Sequence, residues 1–473
     1  MRILERLERL AHLVQRRRAR VARSGTTALI TLSIAILAGA CAHGHRGHDG
    51  HHGELRATAG GFSSQLQFNA PPITEPQGDA LAECVQRRQQ LASNLGQEGL
   101  VFLRAGSANH EDRFFQSDDF WYLSNVDLPD VALAMKLGPG GELLDEVLFL
   151  PAHDPMFERW NGPRLQPGEE SAATTRFLRT ATMPADKRGR IDEAALGDAL
   201  AAMGASGTLF TLDDPGFTVP DGLALDELGA LGSQLHAARL TKSDYEMDCL
   251  QTAVDITTAA IHQALTAVAP GSHEYELQAA IDGTYLRLGS ERPGFSSICA
   301  AGGNAVTLHY AANRDTLRDG DLVLMDVGAK YRYYCADVTR TVPINGRFSD
   351  RQRELYDLVL LAQTTAAEAA RPGMTLRDLH QVALKVLADA GYGQYFLHGL
   401  SHWLGLDVHD VGGRVPIAEG YVFTIEPGLY IADEQIGIRI EDDYLMTANG
   451  AVKLSGAITS DPDEIEAILA ALR

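Results

Sequence analysis

The chain has 473 residues, which leaves room for two or three hydrophobic cores at about 150 residues per domain. Its formal net charge is -21, and without the first 40 residues it carries 33 basic and 60 acidic side chains, a net charge of -27. A surface this acidic repels nucleic acid and anionic lipid, so the composition argues against a nucleic-acid-binding protein.

The N-terminus has the organisation of an export signal. An Arg-rich stretch through Arg23 precedes an apolar run at 27–40, shorter than the roughly 20 residues that span a bilayer. Small residues at 38–40 are typical of a signal-peptidase site, and Cys41 directly afterwards resembles the acceptor of a bacterial lipoprotein. Ala38 stands where the lipoprotein pattern usually has Leu, which favours the soluble form. We predict an exported protein, either periplasmic or lipid-anchored through Cys41, with a signal peptide at residues 1–40.

Residues 41–78 are predicted to be a flexible linker rich in His and Gly. Five histidines between residues 43 and 52 could bind transition metals, but a solvated spacer explains the composition better. The cysteines beyond the linker show no spacing typical of a zinc site, and we predict buried thiols at Cys84, Cys249, Cys299 and Cys335.

The next segment has an α/β pattern, with helical and strand-like spacing of apolar residues and turns rich in Gly and Pro. Helices are predicted at 80–100 and 191–203, and strands at 100–104, 131–137 and 146–150. We place an N-terminal domain at 79–238 and a second domain at 239–473. The aromatic residues at 120–122 and Trp160 could line a pocket, although packing in the core explains each of them at least as well.

The second domain opens with two predicted helices. Ser243 and Glu246 form a capping box at the start of a long helix that Pro270 and Gly271 would end. Ser272 is expected to cap the next helix, which runs to about residue 288 before the pattern changes to strands.

Two carboxylates interrupt apolar, strand-like runs in this domain. Asp326 lies within 321–328 and Asp337 within 331–342, with a possible turn at 328–330. Carboxylates in adjacent strands repel each other and are costly to bury without a partner, and cations would resolve both problems. The alternative is that each Asp marks a loop, which the β-branched neighbours make weaker.

Two more carboxylates follow along the chain. Glu426 ends the β-branched run 421–426. Residues 436–441 alternate strictly, so Arg439 and Glu441 lie on the face opposite three isoleucines. Arg439 could balance a group of carboxylates, although taken alone a surface ion pair would explain it better.

A short glycine-containing segment supplies imidazole groups. His398, His402 and His409 lie too close together in sequence for separate structural roles to be the best explanation, and His309 is a candidate fourth. Carboxylates with a minority of imidazoles suit divalent manganese, cobalt or zinc, and several carboxylates can bridge two metals about 3.5 to 4 Å apart. The residues by themselves therefore indicate a two-metal hydrolase and leave its scissile bond open.

These residues fall in short motifs that resemble aminopeptidase P, of the family that includes methionine aminopeptidase, prolidase and creatinase. The motifs are Leu-His-Tyr at 308–310, Asp-Val-Gly at 326–328, Ala-Asp-Val-Thr-Arg-Thr at 336–341, the histidine segment at 398–412, Glu-Pro-Gly-Leu-Tyr at 426–430 and Ile-Arg-Ile-Glu-Asp at 438–442. Ser-Asp-Asp-Phe-Trp-Tyr-Leu at 117–123 extends the resemblance to the first domain. It implies an α/β N-terminal domain followed by a pita-bread metallopeptidase domain.

The resemblance also implies the ligands of two divalent metal ions. Asp337 and Glu441 would bridge the metals, Asp326 would bind one of them, and His402 and Glu426 would bind the other. Manganese is the expected metal, with cobalt or zinc as alternatives. Because all five ligands are present, a catalytically inactive relative is disfavoured.

The implied substrate is a peptide with proline at position two, and the implied product is its free first residue. A hydroxide between the metals would attack the carbonyl before proline without a covalent enzyme intermediate. Glu426 would carry a proton to the leaving proline nitrogen, and His409 would stabilise the oxyanion. The remaining site residues would shape the substrate pocket or orient the carboxylates: His309, His398, Tyr430 and Arg439. Family members are commonly dimers or tetramers, so a homo-oligomer is expected.

Three alternatives stay open at this point. Prolidase has the same metal site but accepts only dipeptides, creatinase chemistry needs no metal ligands, and a peptide-binding relative would have lost its activity. A separate prediction concerns Cys335, which would share a face with Asp337 and Thr339 if residues 331–342 formed one regular strand. In that case a thiol could lie beside the metals, although a packed small side chain is the simpler explanation.

Overall fold

The computed structural model describes residues 73–106 and 114–473. The predicted signal peptide, Cys41 and most of the linker lie outside these residues. In the described part of the chain, no helix combines the length and the apolar character that crossing a membrane requires. The four cysteines found there are free and buried, as predicted.

The first half of the described chain builds a mixed sheet flanked by helices. Its helices are α1 Ala80–Leu95, α2 Asp118–Ser124, α3 Pro155–Asn161, α4 Glu169–Thr175, α5 Glu193–Ala201 and α6 Ala230–Leu240. Its strands are β1 Gly99–Arg104, β2 Ala132–Leu137, β3 Leu143–Leu150, β4 Arg179–Thr182, β5 Gly207–Phe210 and β6 Leu223–Leu225. The order in the sheet is β4-β3-β2-β1-β5-β6, with β1 antiparallel to β2 and parallel to β5.

The predicted elements of this half are confirmed, with shifted ends. Helix α1 stops at Leu95 rather than near residue 100, because Gly96 turns the chain into the left-handed region at φ 66° and donates its N–H back to Ala92. The three predicted strands correspond to β1, β2 and β3. The predicted domain boundary at 238–239 stays a prediction, and it falls within the last turn of α6, which ends at Leu240.

The aromatic residues of this half divide between core and surface. Phe120 and Tyr122 are buried in the core, where packing was the expected alternative. Trp121 stacks on Tyr333 at a ring distance of 4.1 Å. Trp160 is 80% exposed, so core packing was the wrong expectation for this residue.

The second half contains long helices and small sheets. Its helices are α7 Asp244–Leu265, α8 Glu274–Arg287, α9 Asp350–Ala369, α10 Leu376–Asp389 and α11 Pro462–Leu472. Its strands are β7 Arg292–Pro293, β8 Ile298–Ala301, β9 Leu322–Val327, β10 Ala329–Tyr331, β11 Tyr334–Cys335, β12 Val338–Pro343, β13 Val422–Ile425, β14 Gly428–Ile431, β15 Ile436–Arg439, β16 Asp442–Thr447 and β17 Gly450–Lys453.

The pairing of these strands brings distant carboxylates into one region. Strand β9 lies between β8 and β12, and both neighbours are antiparallel to it. Strand β16 joins β13 to β17, while β14 pairs with β15. Helix pairs α7–α8 and α9–α10 pack around these sheets through a large apolar core. Together the two halves confirm the predicted α/β class.

Two predictions about helix ends in this half need correction. The capping box of Ser243 and Glu246 is present, but helix α7 ends at Leu265, five residues before Pro270. The cap residue of α8 is His273 rather than Ser272, and its side chain makes no capping hydrogen bond.

Residues 331–342 do not form the single strand expected from the apolar pattern. Arg332 and Tyr333 have φ of 46° and 71°, which makes a tight turn between β10 and β11, and β12 begins only after Asp337. The face proposed for Cys335, Asp337 and Thr339 therefore does not exist. The Cys335 sulfur lies 3.5 Å from the carbonyl oxygen of Leu406, and burial raises its thiol pKa to about 12.

Candidate metal centre

One cavity of about 550 Å³ collects nearly all of the predicted site residues. Nine of them line it: His309, Asp326, Asp337, His398, His402, His409, Glu426, Arg439 and Glu441. The tenth, Tyr430, is not a lining residue, but it forms hydrogen bonds with two that are, His398 and Arg439.

The four carboxylates come from the ends of strands. Asp326 is the penultimate residue of β9 and pairs in register with Thr339 of β12, while Asp337 directly precedes β12. Glu426 follows β13 by one residue, and Glu441 precedes β16 by one. The apolar residues of these strands anchor them in the core, and the carboxylates at their ends meet in the same cavity.

His402 lies among three of these carboxylates. Its Nε2 atom is 3.3 Å from Asp337 Oδ2, 3.5 Å from Glu426 Oε1 and 3.9 Å from Glu441 Oε1. The other ring nitrogen, Nδ1, is 3.1 Å from the carbonyl oxygen of Trp403. A proton on Nδ1 that donates to this carbonyl leaves Nε2 free as a metal ligand, the usual arrangement of metal-bound imidazoles.

The electrostatics of the group fit a bound cation. Burial, reinforced by the neighbouring carboxylates, raises the pKa of Asp337 and Glu441 well above the usual carboxyl range. Among the described residues, Asp326 Oδ1 and Asp337 Oδ1 are buried without a hydrogen-bond partner. Divalent metal ions would satisfy these oxygens and remove the repulsion between the carboxylates.

The geometry brings three of the five predicted ligands into mutual reach. Ligand atoms of Asp337, His402 and Glu441 all lie within 4.8 Å of one another. Glu426 adjoins this group through its contact with His402, whereas Asp326 is held by Arg439 with Oδ2 2.5 Å from Nη2. The assignment of the five as ligands stays a prediction, and their oxygen-rich donor set suits hard or borderline divalent ions.

Arg439 links the carboxylates to the residues behind them. It is only 4% exposed, so a surface ion pair does not explain it. Besides Asp326, it donates from Nη1 to Tyr430 Oη at 2.8 Å and from Nε to Thr339 Oγ1 at 3.1 Å. Thr339 in turn donates to Glu441 Oε2 at 2.6 Å. Arg439 therefore positions Asp326 directly and Glu441 through Thr339.

The contacts of His398 define where its proton lies. Nδ1 is 2.8 Å from the Gly399 carbonyl and Nε2 is 2.8 Å from Tyr430 Oη. We assign the proton to Nδ1, because Tyr430 already accepts from Arg439 and can then donate its own hydrogen to Nε2. Burial, with Arg439 nearby, lowers the pKa of His398 to about 4, so the ring is neutral near pH 7.

The other two histidines complete the wall of the cavity. The His409 ring stacks edge-on against His402 with centroids 4.4 Å apart, and burial beside His402 lowers its pKa. His309 lies just beyond a 3-10 turn at Gly302–Val306 and lines the same cavity. Both rings line the cavity and can form hydrogen bonds with a ligand there.

Two supporting residues were missed as site residues from the sequence. Asp443 accepts a hydrogen bond from the Asp337 backbone N–H at 3.1 Å, and Thr339 bridges Arg439 to Glu441. Alternation along β12 and the acidic run 441–443 are the sequence signals that could have suggested them. Neither signal separates a supporting side chain from an ordinary strand residue.

A buried ionic network, also unforeseen, holds the histidine loop, which we define as residues 398–412. Arg239 contacts Asp119 Oδ1 at 2.8 Å, Asp118 Oδ2 at 3.2 Å and Asp410 Oδ1 at 2.5 Å. Lys242 adds a longer contact of 3.6 Å to Asp410 Oδ2. Asp410 belongs to the histidine loop and is adjacent to His409. Arg239 therefore joins the two carboxylates of α2 to this loop.

Both halves of the chain match known protein families. Residues 248–448 match the model of metallopeptidase family M24, and residues 84–187 match that of the aminopeptidase P N-terminal domain. The Xaa-Pro aminopeptidase of Escherichia coli (strain K12) is 33% identical over 441 residues, covering 83% of this chain and 98% of that protein. An Xaa-Pro dipeptidase of Pyrococcus furiosus is 38% identical, but over only 46% of this chain and 63% of its own length.

Solved structures agree with the sequence comparison. Aminopeptidase P from Escherichia coli with the inhibitor Pro-Leu has a TM-score of 0.74 at 29% identity, covering 85% of this chain and 100% of that one. Proline aminopeptidase P II from Yersinia pestis has a TM-score of 0.70 at 30% identity, covering 83% and 99%. With an N-terminal domain of the aminopeptidase P type and a pita-bread metallopeptidase domain, the chain belongs to the aminopeptidase P family of M24 metallopeptidases.

Proposed function

We propose that this protein is a metal-dependent aminopeptidase that releases the first residue of peptides whose second residue is proline. The observation that carries the proposal is the cavity in which Asp337, Glu426 and Glu441 surround His402, while Arg439 holds Asp326 beside them. Similarity to Xaa-Pro aminopeptidases extends over most of the chain, whereas the dipeptidase match covers about half of it. This difference favours the aminopeptidase over prolidase.

Two divalent cations would be held by Asp326, Asp337, His402, Glu426 and Glu441. When bound, they supply Lewis-acid polarisation of the substrate carbonyl and activation of water. We propose manganese, because four of the five donors are carboxylates and manganese favours oxygen ligands. A zinc-substituted form of the Escherichia coli relative is among the solved structures, so zinc and cobalt are the alternatives to test.

Glu426 is the residue placed to move a proton. Burial raises its pKa to about 7, which suits proton transfer near neutral pH. Oε1 lies 3.4 Å from Thr424 Oγ1, and Oε2 lies 3.5 Å from His398 Nδ1. These neighbours orient the carboxyl toward the cavity, from which it can deliver a proton to the departing proline nitrogen.

Imidazole groups provide hydrogen-bonding partners at the cavity wall. His409, beside His402, is placed to stabilise the developing oxyanion. His398 and His309 border the space for the substrate, and Tyr430 fixes the ring of His398. Arg439 stays paired with Asp326 and balances the charge of the carboxylates.

Selectivity for proline follows from the shape and chemistry of its amide. Proline has no N–H to donate, and its ring fixes φ near -65°. The cavity offers apolar side chains that can hold the ring: Phe295, Ile298, Leu308 and Val408. A peptidase that requires an N–H at this position would reject the same substrate.

The test is hydrolysis of Gly-Pro-Ala and of Gly-Pro by the mature protein, after chelation and after adding back manganese, zinc or cobalt. Metal-restored release of glycine from the tripeptide supports the proposal. Cleavage of the dipeptide alone would make the protein a prolidase. If neither peptide is cleaved with any metal, the protein is a peptide-binding relative.

We further propose that the protein is exported and forms a homo-oligomer. The Arg-rich, apolar N-terminus with Cys41 supports export, either as a periplasmic protein or as a lipoprotein. Mass spectrometry of the mature N-terminus distinguishes the two forms, and an unprocessed Met1 would contradict both. Light scattering of the purified protein measures the oligomer.

A further inference from the structure

A second recess adjoins the catalytic cavity, and we call it the side groove. It has a volume of about 730 Å³ and is lined by three segments, at 375–380, 397–401 and 413–415. His398, Gly399 and Ser401 line both the catalytic cavity and the side groove. The groove is as large as pockets that bury drug-sized ligands, so it can hold several peptide atoms beyond the reaction centre.

The side groove is positively charged although the protein is strongly acidic. Arg377 and Arg414 line it, and none of its lining residues is acidic. Both arginines are exposed, and among the described residues neither forms a salt bridge or a side-chain hydrogen bond. In a chain of net charge -21, two exposed cations that form no direct salt bridge among the described residues are available to an anionic ligand.

The neighbouring carboxylate of Asp378 compensates this charge only in part, because hydrogen bonds from Thr375 lower its pKa more than the nearby charge of Arg377 does. The nearest acidic residue in sequence, Asp378, accepts hydrogen bonds from Thr375 N and Oγ1, both at 2.8 Å, and so caps α10. Burial, with Arg377 nearby, lowers the pKa of His380, whose ring stacks on Phe396. The N-terminal end of α10 adds its own partial positive charge.

The direction of the substrate decides which part of a peptide can enter the side groove. An enzyme that removes a single residue has only that residue on the amino side of the scissile bond. Any extended recess beside its reaction centre can therefore hold only residues on the carboxyl side. The apolar side chains of the side groove suit such a segment: Leu376, Leu397, Leu400 and Val415.

We propose that the side groove binds the part of the peptide that follows proline and recognises a carboxylate there through Arg377 and Arg414. The carboxylate can be the peptide's own C-terminus or the side chain of an acidic residue. This inference rests on the proposed function and names a preferred class of substrate: short Xaa-Pro peptides with a negative charge downstream of proline.

The experiment compares Ala-Pro-Ala-Ala as free acid and as C-terminal amide, and adds an amidated peptide with Asp at the fourth position. The mature manganese-loaded protein should cleave the free acid about three to ten times more efficiently than the neutral amide, because each exposed ion pair contributes modestly. The difference should lie mainly in KM and should shrink at high salt. A preference for the Asp amide as well would identify side-chain carboxylates as ligands, and its absence would restrict recognition to the C-terminus.

The double variant Arg377→Gln/Arg414→Gln should lose this preference while cleaving the neutral amide as the wild type does. Arg188→Gln is the matched control, since Arg188 is exposed and lies in the first half of the chain.

Equal cleavage of acid and amide by the wild type, or an unchanged preference in the double variant, would overturn the inference while leaving the proposed function intact. An oligomer that dissociates in the double variant, without any charge preference, would instead assign the groove to a second copy of the chain. Failure of the wild type on every Xaa-Pro peptide would reject the proposed function itself.

Discussion

Replacing Arg239 with methionine probes the network that holds the histidine loop. The guanidinium is 4% exposed and contacts three carboxylates, those of Asp118, Asp119 and Asp410. Methionine keeps the aliphatic part of the side chain but carries no charge. The variant therefore leaves the carboxylates with two weaker cation contacts, Lys242 at 3.6 Å from Asp410 and Lys330 at 3.7 Å from Asp118. Removing one partner of a buried ion pair costs about 3 to 5 kcal/mol.

We expect Arg239→Met to lose about 3 kcal/mol, the lower end of that range, because Lys242 and Lys330 still compensate part of the charge. The measurement is the urea midpoint and melting temperature of the metal-loaded protein. Arg179→Met is the control, since Arg179 and its partner Asp145 are 45% and 31% exposed and their pair should contribute under about 1 kcal/mol. If both variants lose the same stability, the buried network does not hold the loop.

Three further predictions concern the metal centre and a thiol. Glu426→Gln should keep most of the bound metal but lower turnover at least about 100-fold, because the amide cannot carry a proton; metal analysis and tripeptide hydrolysis measure the two effects. Chelation should lower the melting temperature more at pH 8 than at pH 5. The pKa values of Asp337 and Glu441 are raised in the fold, so ionising them without a cation costs stability as the pH rises. Cys335 should resist alkylation in the native protein, because it is buried and its pKa is raised to about 12.

Each of these predictions has an outcome that contradicts it. Unchanged turnover in Glu426→Gln would remove the proton-transfer role. A chelation effect that is equal at both pH values would mean that the buried carboxylates are not ionised by metal binding. Alkylation of Cys335 in the native protein as fast as in the unfolded protein would contradict the protection expected from its burial.

The local parts of the fold could be predicted because they depend on neighbouring residues. The capping box at Ser243 needs only Glu246 three residues later, and strands β1 to β3 follow from runs of apolar side chains. Helix α7 nevertheless ends before Pro270, and residues 331–342 turn back at Arg332 and Tyr333. The apolar pattern continues past the end of this helix and through this turn, so it predicts neither of them.

The sequence by itself determined the α/β class and the family, and nine of the ten residues that it nominated for the site line one cavity. It could do so because buried carboxylates within β-rich runs are costly and therefore informative. Only the tertiary structure decided that Arg439 is buried against Asp326, that Thr339 reaches Glu441, and that Arg239 joins α2 to the histidine loop. These contacts join residues about 100 or more positions apart. The pairing of strands and the packing of the two halves create them, and no local pattern records such contacts.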